Sequence, residues 1–335
     1  MTSHLGWKHR PGMLPEQVVI EAREPDEREV AIRPTLVGLC GTDRGIVAGT
    51  YPGTHGVVLG HEGVGIVEQV GSGVPESLLG QRVAINPTLW CGRCGACRAG
   101  RTNSCADKAA WEIGVSRDGL LQQLCVLPAR ALHAVPADMP DRAVVMIEPL
   151  ACVMHGLNRV SPQSGQDALV MGGGPIGCVT ALALASRTGC SVAIGEIDPY
   201  RRDFLKTEFG MTVTDEPQRS GTYDLVVDTV GNQLETSLSL VRTGGTVLVM
   251  GCRNDATALI KPLELIARQV SVAFSCDYDA AVFPQAITEA RALPVARVIT
   301  DELPLQQVDD AFRLLGVGAP GEDQYRGQKV AIMVS

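Results

Sequence analysis

The spacing of apolar and polar positions changes near residue 150. Before it, short runs rich in β-branched residues recur at 17–21, 29–33, 65–70 and 82–85, each bounded by Gly, Pro, Asp or Asn. That punctuation predicts a small, barrel-like β domain. After it, near-continuous apolar runs at 167–171, 191–195, 224–228 and 246–250 read as strands. Helical stretches at 176–188 and 201–209 fall between them, closed by Gly189 and Gly210. Strands apolar on both faces and alternating with helices predict a parallel sheet covered on both sides. From about 279 the alternation lapses. A helix at 280–292, a strand at 298–300, a helix at 308–315 and a strand at 329–334 predict a tail that returns to the first domain.

Composition narrows the class. A chain of 335 residues suits two domains. With 45% apolar and 20% charged residues it is not a disordered chain. Apolar runs such as 181–185 are far too short to span a bilayer, and the polar stretch 1–10 predicts no secretory leader. A net charge of −8 argues against a nucleic-acid partner. The expectation is a cytoplasmic protein with neither a membrane nor a nucleic acid as partner. Eleven cysteines are many for a reducing compartment, where regularly spaced cysteines hold metal more often than they form disulfides.

Four of those cysteines, Cys91, Cys94, Cys97 and Cys105, follow the spacing C-x2-C-x2-C-x7-C in a loop rich in Gly and Arg. Four thiolates in so short a loop suit a closed, tetrahedral, structural zinc site, with an iron–sulfur cluster as the alternative. Arg93, Arg98 and Arg101 would offset its negative charge. Cys125, Cys152, Cys178, Cys190, Cys252 and Cys276 are expected in strands or helices as small core residues.

Gly172-Gly173-Gly174-Pro175-Ile176-Gly177 satisfies G-x-G-x-x-G at Gly172, Gly174 and Gly177. The motif follows a predicted strand, opens a predicted helix and precedes an acid, Glu196, at the end of the next strand. That context points to a dinucleotide whose pyrophosphate sits at the helix N-terminus. Glu196 would accept hydrogen bonds from the adenine ribose and repel a 2′-phosphate, which favours NAD over NADP. Arg201 and Arg202 either contact the adenosine or cap a solvated helix face.

A second cluster of donors is dispersed: Cys40 in Cys40-Gly41-Thr42-Asp43, His61 and Glu62 in Gly60-His61-Glu62-Gly63, and Glu148 before Pro149. One Cys, one His and one or two carboxylates suit a zinc ion with an open coordination position. From spacing alone, a buried cysteine and a turn histidine explain these residues equally well. His155 reads as a packed helical histidine.

Taken together and in this order, these motifs resemble the zinc-dependent medium-chain alcohol and polyol dehydrogenases over nearly the whole chain. The resemblance implies α/β plus β architecture: a GroES-like barrel (1–150 with 279–335, carrying a metal lobe at about 90–106) and a Rossmann domain (151–278), with the active site between them. It implies two zinc ions per chain. Cys40, His61 and Glu148 match the catalytic-zinc ligands of the sorbitol branch, and Glu62 matches an acid that approaches the metal and exchanges with water. Thr42 would take the substrate proton and pass it toward the cofactor.

Cys40 to Gly45 looks most like the glucose dehydrogenase branch. Trp111-Glu112-Ile113-Gly114-Val115 is similar to the segment of that branch that contacts a sugar hydroxyl. Glu112 is thus either a substrate anchor or a solvated loop acid, and His55 a lesser candidate of the same kind. Polyol dehydrogenases often carry a relay histidine where this chain has Gly45. The implied reaction is NAD-linked oxidation of a secondary alcohol on a polyol, sugar or cyclitol by a homodimer or homotetramer. An amino-alcohol or aminocyclitol dehydrogenase is the alternative within enzymes. A non-catalytic, dinucleotide-binding redox sensor is the alternative outside them.

Overall fold

In a computed structural model, residues 3–10, 12–216, 221–317 and 327–334 are described. The chain forms two compact units, Met1–Glu148 with Asp279–Ser335 and Pro149–Tyr278.

The first unit begins with a separate hairpin of β1 (Ser3–Arg10) and β2 (Met13–Glu21). The strands β3 (Glu29–Gly38), β4 (Glu62–Val70), β5 (Arg82–Ile85), β6 (Cys125–Pro128) and β7 (Leu132–Ala134) follow. The second unit contributes β8 (Asp167–Met171), β9 (Ser191–Gly195), β10 (Thr212–Thr214), β11 (Tyr223–Asp228), β12 (Val241–Val249) and β13 (Ser271–Phe274). The tail returns to the first unit with β14 (Ile299–Pro304) and β15 (Lys329–Met333).

In the first unit the strand order is β14-β15-β3-β4-β5-β7, with β6 pairing β3. Val30, Ile32, Val37, Val67, Val83 and Ile85 bury their side chains in one core with Phe312 and Ile332 of the tail. The returning segment is therefore part of this core. Its strand β15 lies antiparallel to β3, with Ala331 opposite Gly38.

In the second unit all pairings are parallel, in the order β10-β9-β8-β11-β12-β13. Numbered within the unit this is 3-2-1-4-5-6, the doubly wound order with its switch point beside the first strand. Central strands β8 and β11 are buried along almost their whole length, which is why they read as continuous apolar runs. The helices Pro175–Thr188 and Pro199–Phe209 end on Gly189 and Gly210, both left-handed.

The structure adds one strand and corrects two readings. The polar stretch 3–10 is strand β1, with His4, Trp7 and His9 buried. Strand β12 starts at Val241 rather than 246, since Gly244-Gly245 lies inside the strand instead of ending a turn before it. Cys252 and Cys276 are exposed in loops and are not core residues. Among the described residues no helix is long and apolar enough to cross a membrane.

Candidate active site and metal centres

The helix Gly41–Val47 starts directly after β3, and Cys40 is its N-cap. Asp43, at the third helical position, accepts a hydrogen bond from the Cys40 backbone N–H at 2.9 Å. Its other oxygen accepts from the Gly60 N–H at 3.3 Å and lies 3.4 Å from His61 Nδ1. One fully buried carboxylate thus joins the Cys40 turn to the His61 turn and faces the imidazole.

The thiol of Cys40, a ring nitrogen of His61 and a carboxylate oxygen of Glu62 all lie within 4.8 Å of one another. Thiolate, imidazole and carboxylate form a donor set that suits zinc. A carboxylate behind the second ring nitrogen is the usual support of a metal-bound histidine. Burial pushes the His61 imidazole down, but the charges of Asp43 and Cys40 outweigh it and hold its pKa well above the usual value. The donor chemistry and spacing of these three groups fit the metal.

The structure does not draw every candidate into this cluster. Glu148, buried in the first turn of the helix Ile147–Val160, stands outside the group of donor atoms within 4.8 Å. Thr42 is half-buried in the first turn after Cys40. A side chain at Gly45 would begin 2.9 Å from Tyr51 Cβ, so Tyr51 packs where the relay histidine would start. Glu112 is half-buried and pairs with Lys108 at 3.7 Å. Its loop runs close to the cluster, since a Cβ on Gly114 would lie 3.1 Å from His61 Cβ. Beside it Arg117 stacks on Trp111 at 4.0 Å. His55 is exposed, and His155 is buried in its helix.

Sequence reasoning passed over two groups. Asp43 stood inside a quoted motif, and its capping-box position three residues after the N-cap was the available signal. Lys329 gave none, being 267 positions from Glu62 in the chain. It is buried, pairs with Glu62 and donates to the Leu39 carbonyl at 3.1 Å. Burial pushes its ammonium down, yet the charges of Glu62, Cys40 and Glu148 prevail and hold its pKa above the usual lysine value.

The four-cysteine lobe is built differently. The sulfurs of Cys91, Cys94, Cys97 and Cys105 lie within 4.8 Å of one another around the short helix Gly95–Arg98. Backbone N–H groups point at them: Cys91 to Cys105 Sγ at 3.3 Å, Cys94 to Cys91 Sγ at 3.4 Å and Cys97 to Cys94 Sγ at 3.5 Å. The N–H groups of Ala106 and Cys97 pull the Cys94 thiol down to about 6. Such bonds stabilise thiolates, so the lobe fits a closed zinc site. Arg93 is mostly exposed and pairs with Asp107 at 3.5 Å. Asn103 N–H bonds Asp279 at 3.0 Å, and Ala280 N–H bonds Thr102 Oγ1 at 2.7 Å, which fastens the lobe to the returning chain.

In the second unit the turn after β8 needs its glycines. Gly172 has φ +94°, and a Cβ on Gly177 would lie 1.8 Å from the Gly172 carbonyl oxygen. Gly174 caps the following helix with Pro175 at its first position, leaving N–H groups from Ile176 onward for an anion. Glu196 is buried and accepts from Gly173 N–H and Asp198 N–H, each at 2.7 Å. Arg201 Nη1 lies 3.8 Å from where a Gly174 side chain would begin, so it reaches over the turn. Arg202 instead bonds the Glu196 and Ile197 carbonyls and lies 3.6 Å from Asp215. Of the two arginines, Arg201 is the one that lies near the glycine turn.

Residues 26–137 match the alcohol dehydrogenase GroES-like domain family. The chain is 35% identical to a D-altritol 5-dehydrogenase of Agrobacterium fabrum, over 83% of this chain and 85% of that protein. It is 33% identical to an L-galactonate-5-dehydrogenase of Escherichia coli, over 71% and 74%. A solved structure from Sinorhizobium meliloti 1021, described as a zinc-binding dehydrogenase bound to NADP, superposes with a TM-score of 0.88 at 25% identity and covers 100% of both chains.

Proposed function

Because the chain belongs to the zinc-type medium-chain alcohol and polyol dehydrogenases, we propose that it is an NAD-linked oxidoreductase that converts a secondary alcohol of a polyol or sugar acid to the ketone. The observation that carries this reading is the convergence of Cys40, His61 and Glu62 within 4.8 Å, with Asp43 behind the imidazole. A non-catalytic dinucleotide binder has no use for that donor set. The relatives act on open-chain, polyhydroxylated substrates by their names, which favours this class over amino alcohols and aminocyclitols.

Cys40, His61 and Glu62 would hold the catalytic zinc, with Glu62 the ligand that exchanges and Glu148 a further candidate ligand. Cys91, Cys94, Cys97 and Cys105 would hold the structural one. When bound, the catalytic ion lowers the pKa of a substrate hydroxyl, and the dinucleotide takes the hydride. The protein's own residues do the rest. Asp43 fixes the His61 tautomer, so the ring nitrogen away from it faces the donors. Thr42 takes the substrate proton at Oγ1 while its own hydroxyl proton passes on toward the cofactor ribose or water. Glu112, on the loop that backs onto His61, contacts a distal hydroxyl, with His55 a lesser contact at the exposed rim. Gly172, Gly174, Pro175, Ile176 and Gly177 cradle the pyrophosphate, and Arg201 contacts the adenosine end. Glu196 accepts the ribose hydroxyls and disfavours the 2′-phosphate, a preference for NAD that differs from the NADP held by the S. meliloti protein.

A second copy of the chain is the expected partner. Strand β13 is one of the two sheet edges of its unit, and Leu259, Leu263, Ile266 and Phe274 are exposed in it or in the segment before it. Edge pairing there would cover both the open backbone and the apolar side chains. A reducing, cytoplasmic setting is the expected one, since there regularly spaced thiols hold metal rather than form disulfides.

The test is a panel of D-altritol, L-galactonate, sorbitol, cyclitols and amino alcohols with NAD and with NADP, read as reduced-cofactor absorbance, alongside zinc per chain. The expected result is turnover of a polyol or sugar acid with NAD and two zinc ions. One zinc and no turnover across the panel would contradict it.

A further inference from the structure

Three neighbouring strands place three residues in a row. Gly38, the last residue of β3, is paired with Glu62, the first of β4, and with Ala331 of β15 on its other side. Lys329 stands two residues before Ala331, so its side chain leaves the same face of the sheet. Lys329 therefore lies diagonally from Glu62 across the Gly38 position, which has no room for a side chain. A Cβ there would stand 2.7 Å from Glu62 Oε2 and 2.9 Å from Lys329 Cε. The lysine therefore reaches over bare backbone to the Glu62 carboxylate and pairs with Oε2. The same ammonium donates to the carbonyl of Leu39, the residue before Cys40. The side chains of Lys329 and Glu62 are 3% and 1% exposed, so water does not compete for the pair.

We propose that Lys329 is a positioning residue that reserves one carboxylate oxygen of Glu62. Glu62 then meets the catalytic metal through its other oxygen alone, weakly enough to be displaced when substrate arrives. This inference rests on the reading that Cys40, His61 and Glu62 hold that metal. An unrestrained carboxylate at this place would bind with both oxygens and crowd the position the substrate needs. A single charge-assisted partner at Oε2 prevents it. A role in packing alone would not require the cation to aim at a ligand oxygen and also fasten the turn before Cys40.

The test uses the full-length protein with zinc kept in the four-cysteine lobe and cobalt(II) loaded at the Cys40 site. Lys329→Met should release its metal to a chelator roughly tenfold more slowly, the scale of second-layer effects on metal sites. Its cobalt bands should weaken as coordination rises, and kcat should fall while the KM for NAD stays put. Lys329→Arg keeps the charge but offers two parallel donors, which should draw Glu62 off the metal and speed release by about the same factor. Opposite signs for the two variants support the proposal. Equal release rates and an unchanged cobalt spectrum in folded Lys329→Met would overturn it. If the methionine variant does not fold, unchanged release in Lys329→Arg overturns it instead. Should Cys40→Ala keep the wild-type cobalt spectrum, the metal reading itself falls, and the two failures are told apart.

Discussion

The two candidate metal centres of the first unit differ in almost every structural respect. The lobe draws its four sulfurs from fifteen consecutive residues, uses backbone N–H groups as their support and leaves three of the four cysteines half-exposed. The other centre gathers Cys40, His61 and Glu62 from two turns, supports them with the buried charges of Asp43 and Lys329, and is largely closed to solvent. A closed set of four thiolates has no position left for a substrate, whereas a three-donor set does. The difference separates a brace from a reaction site. It predicts that damage to the lobe is read mainly in stability, and damage to the other centre mainly in rate.

The largest expected effect tests the second half of that contrast. Cys40→Ala should lower kcat/KM by about 10³-fold or more, as loss of several kcal/mol of metal assistance demands, with little change in Tm. A near wild-type rate in this variant, measured with its zinc content, would erase the contrast.

Cys97→Ser should do the reverse. We expect it to cost about 3 kcal/mol and lower Tm by roughly 6–12 °C, together with loss of one zinc per chain. Calorimetry beside metal analysis reads both. A Tm equal to wild type would mean that the lobe does not brace the fold.

How far each centre was legible in the sequence follows the same division. The lobe could be read because C-x2-C-x2-C-x7-C closes on itself through local backbone, with no long-range packing needed. The parallel sheet could be read because β8 and β11 are buried on both faces and so are apolar without interruption. The reaction site was legible only in part. Cys40, His61 and Glu62 stood out by residue type, but a spacing of some twenty positions cannot show that they converge. Lys329 was invisible, since only the register of β15 on β3 brings the tail of the chain to Gly38. Strand β1 was not assigned, and its buried His4 and His9 add polar residues to its apolar positions.

Asp43→Asn sharpens the contrast at smaller scale. The amide keeps the size of the side chain but not the charge facing His61 Nδ1. Zinc affinity at this centre and kcat should each fall roughly 10–100-fold, with the lobe's zinc retained. Equal loss of both zinc ions would show that Asp43 serves the fold rather than the histidine.

The smallest effect belongs to the other unit and acts as a control on both centres. Glu196→Ala should reduce the NAD-over-NADP preference about tenfold, the loss of one or two charged hydrogen bonds to the ribose. Zinc content and Tm should change little. Steady-state kinetics with each cofactor reads the ratio, and an unchanged ratio would remove Glu196 from that role.

The central claim is that a metal ion sits among Cys40, His61 and Glu62. Anomalous scattering at the zinc edge, from crystals of the fully metallated protein, addresses it directly. The account predicts one peak in the four-cysteine lobe and a second at about 2.0–2.3 Å from Cys40 Sγ, a His61 ring nitrogen and one Glu62 oxygen. A single peak, in the lobe alone, would contradict it.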